Sequence, residues 1–87
     1  MEWLGRHPAL LEALGICRDQ LGDAPGAERL YREALPEGTP GVSLCYHLAL
    51  CLWHQGRGAE ARQWLEEALR QEPDHARALD LLRQLSP

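Results

Sequence analysis

The sequence predicts an all-α protein, a short right-handed α-solenoid in which five helices form antiparallel pairs. The first observation behind this prediction is an internal repeat, because residues 8–41 and 42–75 align without a gap. Eight positions are identical between the two copies, where about three would arise by chance. The second observation is that apolar residues recur every three or four positions and nowhere alternate as in a strand. A unit of this size cannot bury its apolar face alone, so neighbouring units must stack.

The repeat also defines the organisation of the chain, which is expected to form a single domain over residues 1–87. We assign repeat 1 to residues 8–41, repeat 2 to residues 42–75 and a capping helix to residues 76–85. The identical pairs are Leu10/Leu44, Leu14/Leu48, Cys17/Cys51, Gly22/Gly56, Ala27/Ala61, Glu33/Glu67, Ala34/Ala68 and Leu35/Leu69.

The first helix pair is predicted at residues 8–20 and 24–35. Between the two helices, Gly22 provides a left-handed stop and Asp23 provides a carboxylate to cap the second helix. Pro36 ends the second helix because its ring is incompatible with a continuing helix. The predicted inward residues are Leu10, Leu11, Leu14, Cys17 and Leu21 in the first helix, and Ala27, Leu30, Tyr31, Ala34 and Leu35 in the second.

The second pair is predicted at residues 42–55 and 59–71, and the last helix at residues 75–85 with Asp74 as its cap. The predicted inward residues are Leu44, Cys45, Leu48, Cys51, Leu52, Ala61, Leu65, Ala68, Leu69, Ala78, Leu79, Leu82 and Leu85. Small residues are expected where helices cross closely, namely at Gly15, Ala27, Ala34, Ala49, Ala61 and Ala68.

These positions resemble the tetratricopeptide repeat family. The residues that carry the resemblance are Leu11, Leu14, Gly15, Ala27, Tyr31 and Ala34 in repeat 1, and Cys45, Leu48, Ala49, Leu52, Ala61, Leu65, Ala68 and Pro73 in repeat 2. Repeat 1 departs from the family pattern at Arg18, where an aromatic residue is usual, and at Thr39, where the closing proline is usual. The resemblance implies a non-catalytic scaffold that holds a partner peptide or helix in a concave groove. Helical-pair repeats that bind RNA have a similar period, but the basic surface that they need is missing here.

In the family, the first helix of each pair lines the groove. The resemblance therefore implies these partner-binding residues: Glu12, Ile16, Tyr46, Leu50, Trp53, His54 and Arg77. Tyr46, Leu50 and Trp53 are spaced by four and then three residues, so they share a face of the third helix that differs from its core face. Two interpretations stay open, because Trp53 either contacts a partner or fills a gap between the repeats. The carboxylate clamp of one subgroup is not expected, since only Arg77 has suitable chemistry among the matching positions.

Composition excludes several classes of function. The net charge is −4 and the chain has no lysine, which disfavours nucleic acid as a partner. Apolar runs are too short to cross a bilayer, and the first residues do not resemble a secretory signal, so a cytoplasmic location is expected. The three cysteines, Cys17, Cys45 and Cys51, do not suggest a disulfide framework, and we expect small buried thiols in a reducing compartment.

Few residues suggest chemistry. His47, Cys51 and His54 fall on one helical stripe, but no fourth metal ligand accompanies them, so neither a metal site nor another cofactor is predicted. No phosphate loop or nucleophile motif is present, and we do not expect an enzyme. The main hypothesis is a protein-interaction module. The alternative is a structural module that self-associates, or stacks on other repeats within a larger repeat assembly, through its N-terminal face. This face stays exposed unless Trp3 folds back over Leu10 and Leu14.

Overall fold

The computed structural model describes residues 7–85, which form five α-helices and contain no strand. The helices are α1 (Pro8–Gln20), α2 (Ala24–Ala34), α3 (Val42–His54), α4 (Gly58–Gln71) and α5 (Ala76–Leu85). No helix end differs from its predicted position by more than one residue, so the all-α, five-helix prediction is confirmed. No helix in this range is long and apolar enough to cross a membrane.

The helices stack in chain order. Helices α1 and α2 form one hairpin and α3 and α4 form the next, while α2 packs against α3 and α5 packs against α4. Helix α3 also touches α1 and α5, so these three helices line one side of the stack. This arrangement is the helical-repeat solenoid that the 34-residue period predicts.

Equivalent turns end the first helix of each repeat. Gly22 and Gly56 both adopt left-handed backbone angles, with φ of 88° and 78°. The next amide, of Asp23 or Arg57, donates to the carbonyl oxygen five residues earlier at 2.9 Å in both turns. Glycine suits this conformation because it has no Cβ to clash with the preceding carbonyl. The predicted left-handed stop at Gly22 is therefore confirmed, and the repeat reproduces it.

The residues after these glycines behave differently. As predicted, Asp23 caps α2, since its Oδ1 accepts a hydrogen bond from the Gly26 amide at 3.0 Å. Arg57 occupies the equivalent position before α4 and makes no capping bond. Its guanidinium instead donates to Glu28 and Glu60, both at 2.7 Å, and so ties repeat 2 to α2.

Histidines cap the two outermost helices. The Nδ1 atoms of His7 and His75 accept from the amide three residues further on, at 3.3 and 3.1 Å. The prediction of Asp74 as the cap of α5 is wrong, because the helix begins at Ala76 and the capping position is one residue later. His7 and His75 stand two full periods apart, so α5 begins as the first helix of a third repeat would.

The core is centred on α3, which lies between α2 and α4. Its predicted inward residues are all buried: Leu44, Cys45, Leu48, Cys51 and Leu52. The small residues expected at close crossings are also all buried: Gly15, Ala27, Ala34, Ala49, Ala61 and Ala68. The predictions for α3 and for the helix crossings are therefore confirmed.

The predicted inward face of α1 is largely wrong. Only Leu11 of its five predicted members is buried, while Leu10, Leu14, Cys17 and Leu21 are exposed. We call these four exposed residues the N-terminal row. They are exposed because α1 packs against α2 and the edge of α3, and no other described element lies on its remaining face. Trp3, the candidate cover for this face, lies outside the described residues.

The inward face of α5 is also shifted from the prediction. Ala78 is buried as expected, but Leu79 is exposed and Leu82 and Leu85 are only partly buried. Leu81 is buried instead. Because α5 contacts both α4 and the edge of α3, its buried face turns toward the groove between these helices.

Candidate functional site

A cavity of about 360 Å³ opens on the side of the stack formed by α1, α3 and α5. It is lined by Ile16, Asp19, Gln20, Tyr31, Tyr46, His47, Leu50 and Arg77. Four of the seven predicted groove residues therefore line one cavity, although they come from three different helices. Ile16, Tyr46 and Leu50 are partly buried and form its apolar surface, and Arg77 lines it from α5.

Two further predicted residues hold α1 to α3 beside this cavity. Glu12 Oε2 accepts from the Ser43 hydroxyl at 2.6 Å and contacts His47 Nδ1 at 3.0 Å. His54 Nδ1 contacts the Asp19 carboxylate, with 3.0 and 3.1 Å to its two oxygens. Glu12 and His54 are therefore engaged within the chain and fix the spacing of the two helices that form the groove.

Trp53, like Glu12 and His54, is a predicted groove residue that does not line the cavity. It is partly buried, packs against the hydrophobic core, and its ring centroid lies 5.8 Å from that of His54. The structure thus places Trp53 one turn beyond the cavity, toward the C-terminal end of α3.

Tyr31 of α2 forms the floor of the cavity, a role that the sequence reasoning missed because it counted Tyr31 only as core. Its side chain is 1% exposed, and its ring stacks on that of His47 at 6.0 Å. The ring lies over Gly15, where an added Cβ would stand only 2.4 Å from Tyr31 Cε1. A glycine in α1 therefore makes the room for this aromatic ring.

The Tyr31 hydroxyl opens on the cavity. No group among residues 7–85 forms a hydrogen bond with this hydroxyl. Every fully buried side-chain nitrogen or oxygen in that range has a hydrogen-bond partner, so the hydroxyl is not fully buried. The hydroxyl is therefore the part of this buried side chain that reaches the cavity surface. Burial, together with the nearby Asp19 carboxylate, raises the pKa of Tyr31 well above its usual range, so the hydroxyl keeps its proton.

Asp19 supplies a second polar group to the cavity and is partly buried. Its side chain is only 9% exposed, and His54 is its one partner among the described residues. A carboxylate has about four acceptor sites, so Asp19 keeps capacity for another donor. The sequence carried a signal for this pairing, because Glu12 and Asp19 are seven residues apart on α1, as His47 and His54 are on α3.

The His47, Cys51 and His54 stripe does not form a metal site. Cys51 is fully buried, and its Sγ donates to the Leu48 carbonyl oxygen at 3.3 Å. Burial also raises the pKa of Cys51 to about 12, so its thiol keeps its proton in the folded chain. Both histidines face carboxylates on α1, and within residues 7–85 no group of three potential ligands converges.

A larger cavity of about 660 Å³ lies between α4 and the loop that joins α2 to α3. Its lining residues are Arg32, Gly38, Thr39, Pro40, Glu60, Gln63, Trp64 and Glu67. The charged groups here are already paired: Glu60 with Arg57 at 2.7 Å, and Glu67 with Arg70. The smaller groove cavity is the better candidate site, because four of the seven predicted groove residues line it.

Comparison with known proteins supports the architecture. The family model described as tetratricopeptide repeat matches residues 20–85, from the last residue of α1 to the last residue of α5. A search of curated proteins finds no significant match, and neither does a search of solved structures. Repeats of this type generally mediate protein–protein interactions and are typically non-catalytic. Since the match covers well over half of the 87 residues and agrees with the helical stack, the chain belongs to the tetratricopeptide repeat family.

Proposed function

We propose that this protein is an interaction module that binds a segment of a partner protein in the groove between α1, α3 and α5. The observation that carries the proposal is the cavity in which Ile16, Tyr46, Leu50 and Arg77 meet. Concave sites with apolar walls and a few convergent polar groups are the usual binding sites of proteins. Tyr46 and Leu50 supply the apolar contact area, and Tyr31 and Asp19 supply the polar groups.

The groove is also held ready for a partner. The contacts of Glu12 with Ser43 and His47, and of Asp19 with His54, fix α1 against α3 before any ligand arrives. A preorganised site loses less conformational entropy on binding than a mobile one. This rigidity supports binding of an extended peptide or a helix rather than a rearrangement of the module.

A selection of binding peptides tests the proposal. The full 87-residue chain is immobilised, and a random dodecapeptide library displayed on phage is selected against it. We expect Leu50→Ala and Tyr46→Ala each to weaken the affinity of the selected peptides about tenfold or more. Leu21→Ala, at an exposed position outside the groove, is the matched control and should leave the affinity unchanged. Circular dichroism verifies that each variant is folded.

The same peptides test the position of the contact. If the cavity is the anchor, Trp53→Ala weakens binding less than Leu50→Ala does, because Trp53 lies outside the cavity lining. Selected peptides whose affinities are unchanged by both Leu50→Ala and Tyr46→Ala would show that the groove is not the binding surface.

A second candidate function, self-association, is favoured by the N-terminal row. Leu10, Leu14 and Leu21 are 46%, 45% and 83% exposed, and Cys17 beside them is also exposed. Leu10 and Leu14 on α1, with Leu21 directly after it, form an exposed apolar surface that another protein surface can cover. In this function, the N-terminal rows of two copies pack together.

Analytical ultracentrifugation separates this candidate from a purely monomeric module. Self-association predicts a dimer at high micromolar concentration that Leu14→Glu converts to monomer. Leu79→Glu, on an exposed position of α5, is the matched control and should not change the oligomeric state. A monomer at all concentrations would exclude this function.

We extend the proposal to location and chemistry. A cytoplasmic, non-catalytic role without nucleic-acid binding agrees with the net charge of −4 and with the buried thiols of Cys45 and Cys51. Fluorescence microscopy of a tagged chain in its native cell tests the location directly.

A further inference from the structure

The groove cavity has an acidic side and an apolar side. The acidic side comes from α1, where the Asp19 carboxylate lines the cavity and Glu12 lies about two turns earlier, bonded to Ser43 and His47. The apolar side comes from Ile16 of α1 and from Tyr46 and Leu50 of α3. A long side chain that is apolar along its stem and cationic at its end matches both sides at once.

The floor of the cavity has a group that the chain itself leaves without a partner. The Tyr31 side chain is 1% exposed, yet its hydroxyl reaches the cavity and forms no hydrogen bond among residues 7–85. This hydroxyl can accept a hydrogen bond from a guanidinium or ammonium group that also donates to Asp19. A ligand atom can therefore take the place of water as the hydrogen-bond partner of this hydroxyl.

We infer that the cavity receives an arginine or lysine side chain of the partner segment, with its cationic end between the Asp19 carboxylate and the Tyr31 hydroxyl. The apolar stem of this arginine or lysine lies against Ile16 and Leu50. The Tyr46 ring faces its charged end in a cation–π interaction. This inference rests on the proposed function and names the chemistry of the residue that anchors the partner.

The charges around the hydroxyl agree with a cationic guest. After the larger effect of burial, the groups that raise the pKa of Tyr31 are Asp19, Cys51, Glu12 and Cys17 in that order, and two of them, Asp19 and Glu12, are carboxylates. Among residues 7–85, Arg77 is the one arginine that lines the cavity. It belongs to α5, whereas Asp19 belongs to α1 on the other side of α3. The guest charge therefore lies toward α1, and Arg77 weakens its binding modestly.

Peptides selected on the groove provide the test. We expect one arginine or lysine to be shared by the peptides whose affinity depends on Leu50. Replacing it with citrulline, which keeps the shape of arginine without its charge, should weaken the affinity about tenfold or more. On the protein, Asp19→Asn should have a similar effect, and Tyr31→Phe should weaken binding about threefold, since it removes only the hydroxyl oxygen.

Two further variants serve as controls. Glu37→Gln removes one carboxylate in the loop between α2 and α3, outside the cavity, and should leave the affinity unchanged. Arg77→Ala should strengthen the binding of the basic peptide about twofold, because it removes a like charge from the cavity wall. Nuclear magnetic resonance of the Tyr31 ring reports directly whether the peptide occupies the cavity.

The outcomes separate this inference from the proposed function. Peptides that need Leu50 but carry no shared basic residue, or that bind equally well with citrulline or with Asp19→Asn, would overturn the cationic anchor and leave the groove in place. If no selected peptide depends on the groove residues, the proposed function fails, and the inference fails with it.

Discussion

The first helices of the two repeats, α1 and α3, carry the same residues at equivalent positions in opposite environments. Leu14 is 45% exposed while Leu48 is 0% exposed, and Cys17 is exposed while Cys51 is buried. The difference comes from their neighbours, because α2 covers this face of α3 and no described element covers the same face of α1. Identical side chains in a repeat therefore contribute unequally to stability, according to whether another described helix packs against them.

Thiol labelling should give the largest contrast. Burial raises the pKa of Cys51 to about 12 and that of Cys45 to about 11, so both stay protonated and inaccessible. We expect Cys17 to react with Ellman's reagent at least about a hundredfold faster than either, because the buried thiols react only when the fold opens. All three should react together in concentrated urea. Slow labelling of Cys17 in the native protein would show that its face of α1 is covered.

Replacing the equivalent leucines with alanine measures the same contrast as a difference in the free energy of unfolding. Leu48→Ala should lower the free energy of unfolding by about 2–5 kcal/mol, since it removes buried atoms and leaves a void. Leu14→Ala should lower it by less than about 1 kcal/mol, because an exposed side chain loses little on truncation. Urea denaturation of the two variants gives both values. If the two variants lost the same free energy of unfolding, this would contradict the difference in burial between the repeats.

The crossing point of each hairpin offers a second matched pair. Repeat 1 combines Gly15 with Tyr31, and repeat 2 combines Ala49 with Leu65 at the equivalent positions. Gly15→Ala should destabilise by about 1–3 kcal/mol, because the added Cβ overlaps the Tyr31 ring. Combining it with Tyr31→Leu reproduces the pair of repeat 2 and should recover part of the loss. Denaturation of the single and double variants gives the coupling. If the double variant loses as much free energy of unfolding as the two single variants lose together, Gly15 and Tyr31 are not coupled.

The smallest expected effect concerns Glu28, which links the repeats by accepting hydrogen bonds from Arg57 at 2.7 Å, Arg32 at 2.8 Å and Gln55 at 3.0 Å. Burial acts to raise the pKa of Glu28, but these bonds outweigh it and the pKa lies below its usual value. The stability that Glu28 contributes is therefore complete above about pH 4.3, where an unfolded glutamate ionises, and is lost as the pH falls through the lowered folded pKa.

The measurement is the free energy of unfolding between about pH 5 and about pH 3. It should fall with pH in the wild-type chain and fall less steeply in Glu28→Gln, which has no proton to bind at this position. Glu37→Gln, in the loop that follows α2, should keep the wild-type slope. An unchanged slope in Glu28→Gln would show that this link between the repeats adds nothing to the pH dependence.

The predictions from sequence succeeded where the signal is local. Helix ends, the left-handed Gly22 and the Asp23 cap depend on a few adjacent residues. The helix ends were predicted to within one residue, and Gly22 and Asp23 were predicted correctly. The exposure of the N-terminal row was not predicted, because the burial of these residues depends on whether another helix packs against α1. The His75 cap was missed for a different reason, since Asp74 is also a good capping residue and only the exact start of α5 decides between them.

The candidate site was predicted in part. The repeat register brought Ile16, Tyr46, Leu50 and Arg77 onto one side of the stack, and the structure shows them around one cavity. The sequence could not show that the Tyr31 hydroxyl reaches the same cavity, because that depends on the crossing of α1 over α2 at Gly15. Whether these residues bind a partner stays a prediction.

The contact between Gly15 and Tyr31 also constrains how the two repeats can be interconverted by mutation. A route that starts at Gly15 passes through a chain in which Cβ and ring atoms would overlap at 2.4 Å, so the helices must separate. A route that starts at Tyr31 leaves an empty space that neighbouring atoms can partly fill. The order of the two substitutions therefore matters, and the accessible order changes the aromatic residue first.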